Sequence, residues 1–189
     1  MQIRLFHSYS VKSLVAGILF AAASFALGGC GSSKSVAVKH PSAREYTREI
    51  EANYHLDKQQ KLVIEEAFSW LGTPYTHAMQ DKGVGTDCSG MVMAVYRDAL
   101  GSLLPRNSAK QAEFCERIEA EEARIGDLVF FATGKNPERV SHVGIVVDPD
   151  NFIHASTSKG VVVSALHTPY YASRLIMYGR VPAHRADNR

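Results

Sequence analysis

The chain has 189 residues and a formal net charge of +2, and 46% of its residues are hydrophobic. This length suits one domain of ordinary size plus an appendage, and the composition is that of a globular protein. Basic residues do not form a stripe interleaved with aromatic residues, so the sequence gives no support for nucleic-acid binding.

The first 29 residues are predicted to be a signal peptide rather than part of the fold. Arg4 and Lys12 give a positive start, and the apolar run from Leu14 to Leu27 is too short for a comfortable membrane span. The run ends in Leu27-Gly28-Gly29-Cys30, which resembles the lipobox of bacterial lipoproteins. That resemblance implies that Cys30 carries lipid and anchors the chain in the bacterial cell envelope, with the outer membrane facing the periplasm as the expected place. The alternative is an ordinary secretory signal with Cys30 as a spare thiol.

Three segments follow the signal. Residues 30–56 are polar and rich in charge, and they are predicted to be a tether. Within them, residues 42–53 are compatible with a solvated helix, but we find no apolar face to dock it. Residues 57–184 are predicted to form the folded domain, and residues 185–189 a polar tail.

The first half of the domain is predicted to be helical. Asp57 followed by Gln60 is typical of a capping box at a helix N-terminus. Apolar residues recur behind it at helical spacing, namely Leu62, Val63, Ala67, Phe68 and Leu71. Further helices are predicted for residues 88–100 and, starting at Asn107 or Ser108, as far as about residue 115.

The second half of the domain is predicted to be a sheet. Its short apolar runs are Leu128 to Phe131, Val143 to Val147, Phe152 to Ser156, Val161 to Ala165 and Leu175 to Val181. The charged residues 116–122 before them are predicted to be a solvated face. Helices first and an antiparallel sheet of about five to six strands afterwards indicate an α+β domain.

Asp87-Cys88-Ser89-Gly90 delivers a cysteine to the first turn of an apolar helix. The N–H groups at a helix N-terminus stabilise a thiolate, so we expect them to lower the pKa of Cys88 and later to hold an oxyanion. The alternative is a small buried cysteine with no reactivity. Cys115 is left over, and a disulfide between Cys88 and Cys115 is open.

Two histidines lie in the predicted sheet. His142 opens one strand and His154 lies within the next. In a Cys–His pair the imidazole accepts the thiol proton, and a third polar group fixes the orientation of the imidazole. Diagonal neighbours on one face of an antiparallel pair lie within side-chain reach of each other. Because strand residues alternate between faces, we predict a connecting loop of three or five residues, or a bulge with the same effect, which puts both imidazoles on one face.

Metal or cofactor chemistry has little support in the sequence. It contains neither Cys-x-x-Cys nor His-Glu-x-x-His, and Cys88, His142 and His154 alone would be an incomplete zinc site. We therefore expect no metal and no cofactor, and we expect a monomer.

Six short sequences occur in a characteristic order: Leu71-Gly72-Thr73-Pro74-Tyr75, Asp87-Cys88-Ser89-Gly90, Leu104-Pro105-Arg106, Gly126 to Phe131, His142-Val143-Gly144-Ile145 and His154-Ala155. Together they resemble the NlpC family of bacterial cell-wall cysteine peptidases over roughly residues 57–182. The resemblance implies a papain-like core with Cys88 as nucleophile, His142 as general base and His154 as the orienting third member. It implies hydrolysis of peptidoglycan stem peptides, between D-glutamate and the diamino acid or at a crosslink.

The same resemblance implies substrate-side residues around the cysteine. Asp87 is expected to receive an amine of the peptide, and Ser89 and Tyr75 are expected to bind carboxylate or carbonyl groups. Arg106 is expected to meet a stem-peptide carboxylate in bidentate fashion, with an ordinary surface arginine as the alternative. The chain departs from the family at residues 76–82, where members often have two glycines, and this puts substrate preference in doubt.

Two other functions compete with this one. An inactive wall-binding lipoprotein would not need an activated thiol, and the presence of Cys88, His142 and His154 argues against it. A papain-like amidase or acyltransferase acting on another substrate would keep the same three residues.

Overall fold

The computed structural model describes residues 42–182. The predicted signal peptide, Cys30 and the predicted tail at residues 185–189 lie outside the described residues. The helices are α1 (Ala43–Asn53), α2 (Lys58–Ser69), α3 (Cys88–Leu100), α4 (Ser108–Phe114) and the short α5 (Pro169–Ala172). The strands are β1 (Gln80–Asp81), β2 (Gly85–Thr86), β3 (Glu116–Ile118), β4 (Leu128–Phe131), β5 (His142–Val146), β6 (Asn151–Ser156), β7 (Gly160–Ala165) and β8 (Leu175–Arg180).

The larger sheet has six antiparallel strands in the order β3-β8-β4-β5-β6-β7, and β1 with β2 forms a separate small hairpin. Helices therefore precede an antiparallel sheet, which confirms the predicted α+β class. Three short strands, β1 and β2 in the loop before Cys88 and β3 in the charged segment, were not predicted. Strand β3 lies in the charge run at residues 116–122, where its position at the sheet edge keeps its glutamate and arginine exposed.

The helix boundaries follow their capping residues. The Asp57 side chain accepts a hydrogen bond from the Gln60 N–H, and the Gln60 side-chain oxygen accepts one from the Asp57 N–H, each at 2.9 Å, so the predicted capping box is confirmed. Helix α3 begins at Cys88 as predicted and ends at Gly101, whose φ of 69° is in the left-handed region that glycine tolerates. Asn107 caps α4.

Helix α1 corrects the prediction that residues 42–53 have no apolar face to dock. The Tyr46 ring stacks on Phe68 of α2 with ring centroids 5.0 Å apart, and Ile50 is 6% exposed. Ala43, Tyr46 and Ile50 recur at helical spacing, so a stripe only one residue wide is enough to pack α1 on α2. The packed fold therefore begins at least as early as Ser42, whose side chain caps α1, and not near Asp57.

The central strands β4, β5 and β6 are buried on both faces of the sheet. On one face α2 and α3 pack against alternate strand residues that include Phe130, Val143, Ile145 and Ile153. The opposite face carries Val129, Phe131, Val146 and Phe152, packed with Leu166 and with Tyr171 of α5. Within residues 42–182 no helix is both long enough and apolar enough to cross a membrane.

Candidate active site

Cys88 is the first residue of α3, and the backbone around it is fixed by Asp87. The Asp87 side chain accepts the Gly90 N–H at 2.8 Å and so caps the helix. Cys88 is 9% exposed, and the Val143 amide of β5 is close enough to lower the pKa of its thiol. Because Val143 follows His142 along β5, the thiol lies where the first predicted histidine begins its strand.

The pKa of Cys88 corrects the expectation of an activated thiolate. Burial raises it to about 11, and the negative charge of Asp87 adds to the increase. The amides of Val143, Ser89 and Cys88 act in the predicted direction, but they do not outweigh burial. The resting residue is therefore a neutral thiol, because water is excluded from the position where the thiolate charge would form.

His142 and His154 lie on one face of adjacent strands. Ile145 is opposite Ile153, and Val146 is opposite Phe152, which leaves residues 148–150 as a three-residue loop. The predicted odd loop is therefore confirmed. His142 Nε2 and His154 Nδ1 are 2.8 Å apart with the rings nearly perpendicular, and the two residues are 8% and 1% exposed.

Gly144 makes room for this contact. A Cβ built on Gly144 would lie 2.5 Å from the Phe152 ring, 2.8 Å from the Ile153 carbonyl oxygen and 3.1 Å from the His154 Cβ. Any larger residue would therefore displace the second imidazole. Glycine inside a strand often marks such a close approach.

Both imidazoles are neutral in the resting site. Burial lowers the pKa of His142 to about 4. Burial also lowers the pKa of His154 to about 3, with smaller effects from the charges of His142 and Lys159. A neutral imidazole offers one acceptor nitrogen, which is what a general base needs.

Arg106 and Asp87 form a bidentate ion pair beside the cysteine. Arg106 Nη1 lies 2.7 Å from Asp87 Oδ1 and Nη2 lies 2.8 Å from Oδ2, while the same nitrogens donate to Ser89 Oγ and the Met79 carbonyl, each at 2.9 Å. Burial works to raise the pKa of Asp87, but Arg106 and the Gly90 amide outweigh it and hold it below its usual value.

This pairing changes the roles predicted for three residues. The Asp87 carboxylate already accepts from Arg106, Gly90, Ala78 and Ser89, so it is not an open receptor for a substrate amine. The Arg106 guanidinium is likewise engaged within the protein. We therefore assign Asp87, Ser89 and Arg106 to holding the cysteine loop. The planar guanidinium group of arginine binds a carboxylate within the protein in the same bidentate way as it binds a carboxylate of a ligand.

The rest of this network ties in the neighbouring segments. Gln111 donates from its side chain to the Ser89 carbonyl at 3.0 Å and to the Pro105 carbonyl at 2.8 Å. A Cβ on Gly90 would collide with the Met79 carbonyl and with Arg106, so the fourth residue of Asp87-Cys88-Ser89-Gly90 must be glycine. Ala78, in the segment where the resemblance leads us to expect glycines, has a positive φ of 62°.

Tyr75 is the remaining predicted substrate-side residue. It is half-buried, and burial raises the pKa of its hydroxyl, with further contributions from Cys88 and Asp87. Its substrate role stays a prediction. Cys88 and Cys115 are both free thiols, and no group of three potential metal ligands occurs within residues 42–182.

The sequence profile of the NlpC/P60 family matches residues 68–180. The chain belongs to that family. The predicted resemblance is thus confirmed, and the matched range contains Cys88, His142 and His154.

Curated NlpC/P60 relatives are named as peptidases. A Haemophilus influenzae protein named "Probable endopeptidase" is 38% identical over 120 residues, which are 64% of this chain and 73% of that protein. The Escherichia coli K12 protein named "Murein DD-endopeptidase MepS/Murein LD-carboxypeptidase" is 30% identical over 175 residues, covering 87% of this chain and 90% of that protein.

Solved NlpC/P60 structures share the fold. A Staphylococcus aureus protein described as similar to lipoprotein of the NLP/P60 family superposes with a TM-score of 0.60 at 33% identity, covering 67% of this chain and 42% of that structure. A Bacillus cereus NlpC/P60 protein gives 0.59 at 29% identity, covering 68% and 42%. This chain thus spans less than half of either structure. The match confirms the predicted papain-like arrangement of helices and sheet.

Some residues of this NlpC/P60 site were not predicted from the sequence. Gly144 and Gln111 are among them, as are Ser164 and Tyr171, which contact His154. Gly144 had a recognisable signal, since a glycine next to a histidine inside a short strand suggests a close approach. The others are single residues of common type, and only the fold brings them to the site.

Proposed function

We propose that this NlpC/P60 chain is a lipid-anchored cysteine endopeptidase that hydrolyses amide bonds in peptidoglycan stem peptides through Cys88, His142 and His154. The observation that carries the proposal is the buried contact between His142, at the start of β5, and His154, on β6, together with a cysteine at the N-terminus of α3, the helix that packs on these strands. The names of the relatives support the coarser statement that the chain is a peptidoglycan hydrolase.

The first step joins proton transfer to attack on the peptide. His142 Nε2 is bound to His154, so its Nδ1 is the nitrogen left to accept the thiol proton. The Cys88 sulfur forms a bond to the carbonyl carbon as Nδ1 takes the proton, and the carbonyl π electrons move onto oxygen. We expect the Cys88 and Ser89 amides, which lower the pKa of the thiol, to stabilise that oxyanion.

The second step releases the amine and then the acid. The oxyanion collapses, the C–N bond breaks, and His142 returns the proton to the leaving nitrogen, which leaves a thioester on Cys88. Water then loses a proton to His142 and attacks the thioester carbon, so that the C–S bond breaks and the thiol reforms. The bond that is cut lies between D-glutamate and the diamino acid or at a peptide crosslink.

The experiment that tests this function is digestion of purified peptidoglycan by the full chain, with fragments identified by mass. Cys88→Ala should release nothing, whereas Cys115→Ala, the matched control at the other free thiol, should release the same fragments as the native chain. Fragment masses distinguish the two candidate bonds. Sedimentation with the wall without cleavage would favour a binding lipoprotein. If the chain neither cleaves peptidoglycan nor sediments with it, an amidase or acyltransferase with another substrate would be favoured.

The anchor is tested separately. Lipidation of Cys30 predicts that the chain fractionates with membranes and carries the mass of attached acyl groups, with the outer membrane as the expected fraction. Cys30→Ser should remove both properties and leave digestion of free peptidoglycan unchanged. Recovery of the native chain in the soluble fraction at its unmodified mass would contradict the anchor and leave the peptidase proposal intact.

A further inference from the structure

The second nitrogen of His154 faces two hydroxyl groups. His154 Nε2 lies 3.0 Å from Ser164 Oγ and 3.2 Å from Tyr171 Oη. Ser164 is on β7, opposite Phe152 and on the same sheet face as His154, and Tyr171 comes from α5. His154 is thus held at both ring nitrogens, by His142 on one side and by hydroxyls on the other.

Two neutral imidazoles joined by one hydrogen bond have two proton arrangements. In the first, His142 carries its proton on Nε2 and donates to His154 Nδ1, so His154 carries its own proton on Nε2. In the second, His154 Nδ1 donates to His142 Nε2, so His142 carries its proton on Nδ1. Only the first leaves His142 Nδ1 free to accept a proton from Cys88.

The hydroxyls favour the first arrangement when they act as acceptors. A hydroxyl oxygen can accept a hydrogen bond through a lone pair while its own hydrogen points elsewhere. Ser164 Oγ and Tyr171 Oη both lie within hydrogen-bond distance of His154 Nε2, so either oxygen can accept the N–H of that nitrogen. The proton order then runs from His142 to His154 to a hydroxyl oxygen.

We propose that Ser164 and Tyr171 are positioning residues that hold the His154 proton on Nε2 and so keep Nδ1 of His142 available to Cys88. Neither residue touches the reacting atoms. They act through a tautomer that is coupled across the imidazole pair, as an orienting group does in other catalytic triads. The proposal deepens, and rests on, the proposed peptidase function.

The direct test is the protonation state of each ring nitrogen, measured by long-range ¹H–¹⁵N correlation on ¹⁵N-histidine-labelled full chain at neutral pH. Protonated Nε2 and unprotonated Nδ1 on both His142 and His154 are expected. Protonated Nδ1 on His142 would overturn the proposal. This measurement needs no substrate, so it stands even if peptidoglycan is not cleaved.

The kinetic test uses Ser164→Ala, Tyr171→Phe and the double variant on peptidoglycan. Each single variant keeps one hydroxyl, so kcat should fall less than about fivefold, while the double variant should lose about 10- to 100-fold in kcat with KM within about twofold. Ser164→Thr, which keeps the hydroxyl, should restore activity. Tyr170→Phe and Ser158→Ala are matched controls, because those hydroxyls do not contact His154 in the described chain, and they should leave kcat unchanged.

The outcomes separate this proposal from the function on which it rests. If the double variant loses kcat and, unlike the native chain, carries a proton on His142 Nδ1, the result would support the hydroxyls as the groups that fix the tautomer. Full kcat and native ring protonation in a folded double variant would overturn it. If the double variant does not fold, the single variants, Ser164→Thr and the native spectrum decide. If the native chain cleaves nothing but shows the expected tautomers, the failure belongs to the proposed substrate.

Discussion

Replacing Arg106 with alanine tests whether this residue holds the cysteine loop or binds substrate. The Asp87 side chain is 9% exposed and that of Arg106 35% exposed. Breaking a fully buried ion pair costs about 3–5 kcal/mol, whereas an exposed one is worth about 0–1 kcal/mol. Asp87 keeps its bonds to Gly90, Ala78 and Ser89, so we expect an intermediate loss of about 2 kcal/mol in the free energy of unfolding.

That loss is measurable by thermal unfolding followed by circular dichroism. For a domain of this size about 2 kcal/mol corresponds to a decrease in Tm of roughly 8 °C. Arg97→Ala is the control, because Arg97 pairs with Asp98 in a position where both side chains are at least 40% exposed, and it should change Tm by less than about 2 °C. Arg106→Lys keeps the charge but loses the second hydrogen bond and should fall between them.

The pH dependence gives the sign of the effect. The pKa of Asp87 is lowered in the folded chain, so its contribution to stability is present above its unfolded pKa of about 3.9 and disappears as pH falls through the folded value. The Tm difference between the native chain and Arg106→Ala should therefore shrink below about pH 4. An unchanged Tm at neutral pH, together with a raised KM for peptidoglycan, would refute the positioning role and restore the substrate-binding prediction.

Three further predictions concern the thiol, the strand glycine and the first helix. Iodoacetamide should label Cys88 about tenfold faster for each pH unit between 7 and 10, because the pKa of its thiol is about 11. A labelling rate that reaches a plateau below pH 8 would contradict this, and Cys88→Ala gives the background rate. Gly144→Ala should displace His154, cost about 1–3 kcal/mol in the free energy of unfolding and lower kcat at least tenfold. Gly134→Ala is the control and should do neither, so equal activity of the two variants would contradict the close approach described at Gly144. Ile50→Ala should cost about 2 kcal/mol by urea unfolding, whereas a change below about 0.5 kcal/mol would indicate an undocked helix.

The sequence predicts the elements of this fold best where the signals are local. The Asp57 capping box, the start of α3 at Cys88 and the apolar strands each depend on residues close together in the chain. The shared face of His142 and His154 was also predictable, because alternation along strands and a three-residue loop determine it. These features follow from geometry that every chain obeys.

The sequence predicts least well where burial and distant partners decide. Tyr46 and Ile50 alone form too narrow an apolar stripe on α1 to predict docking from the sequence. Their packing partner, Phe68 of α2, is brought to them only by the fold. The pKa of Cys88 was expected to fall because a helix N-terminus is visible in the sequence, whereas the exclusion of water that raises the pKa is not. Arg106 was predicted to face a ligand, and its ion pair with Asp87 was missed, because the distance between the two depends on how two loops fold together.

The same dependence on distant partners determines when the site around Cys88 is assembled. Arg106 joins residues 79, 87 and 89, and His154 joins residues 142, 164 and 171, so the site is assembled from segments that are far apart along the chain. An unfolded chain carries the same cysteine with an ordinary thiol and no base beside it. Under the proposed peptidase function, folding is therefore the activating event, and the chain would not hydrolyse amide bonds until its last strands were in place.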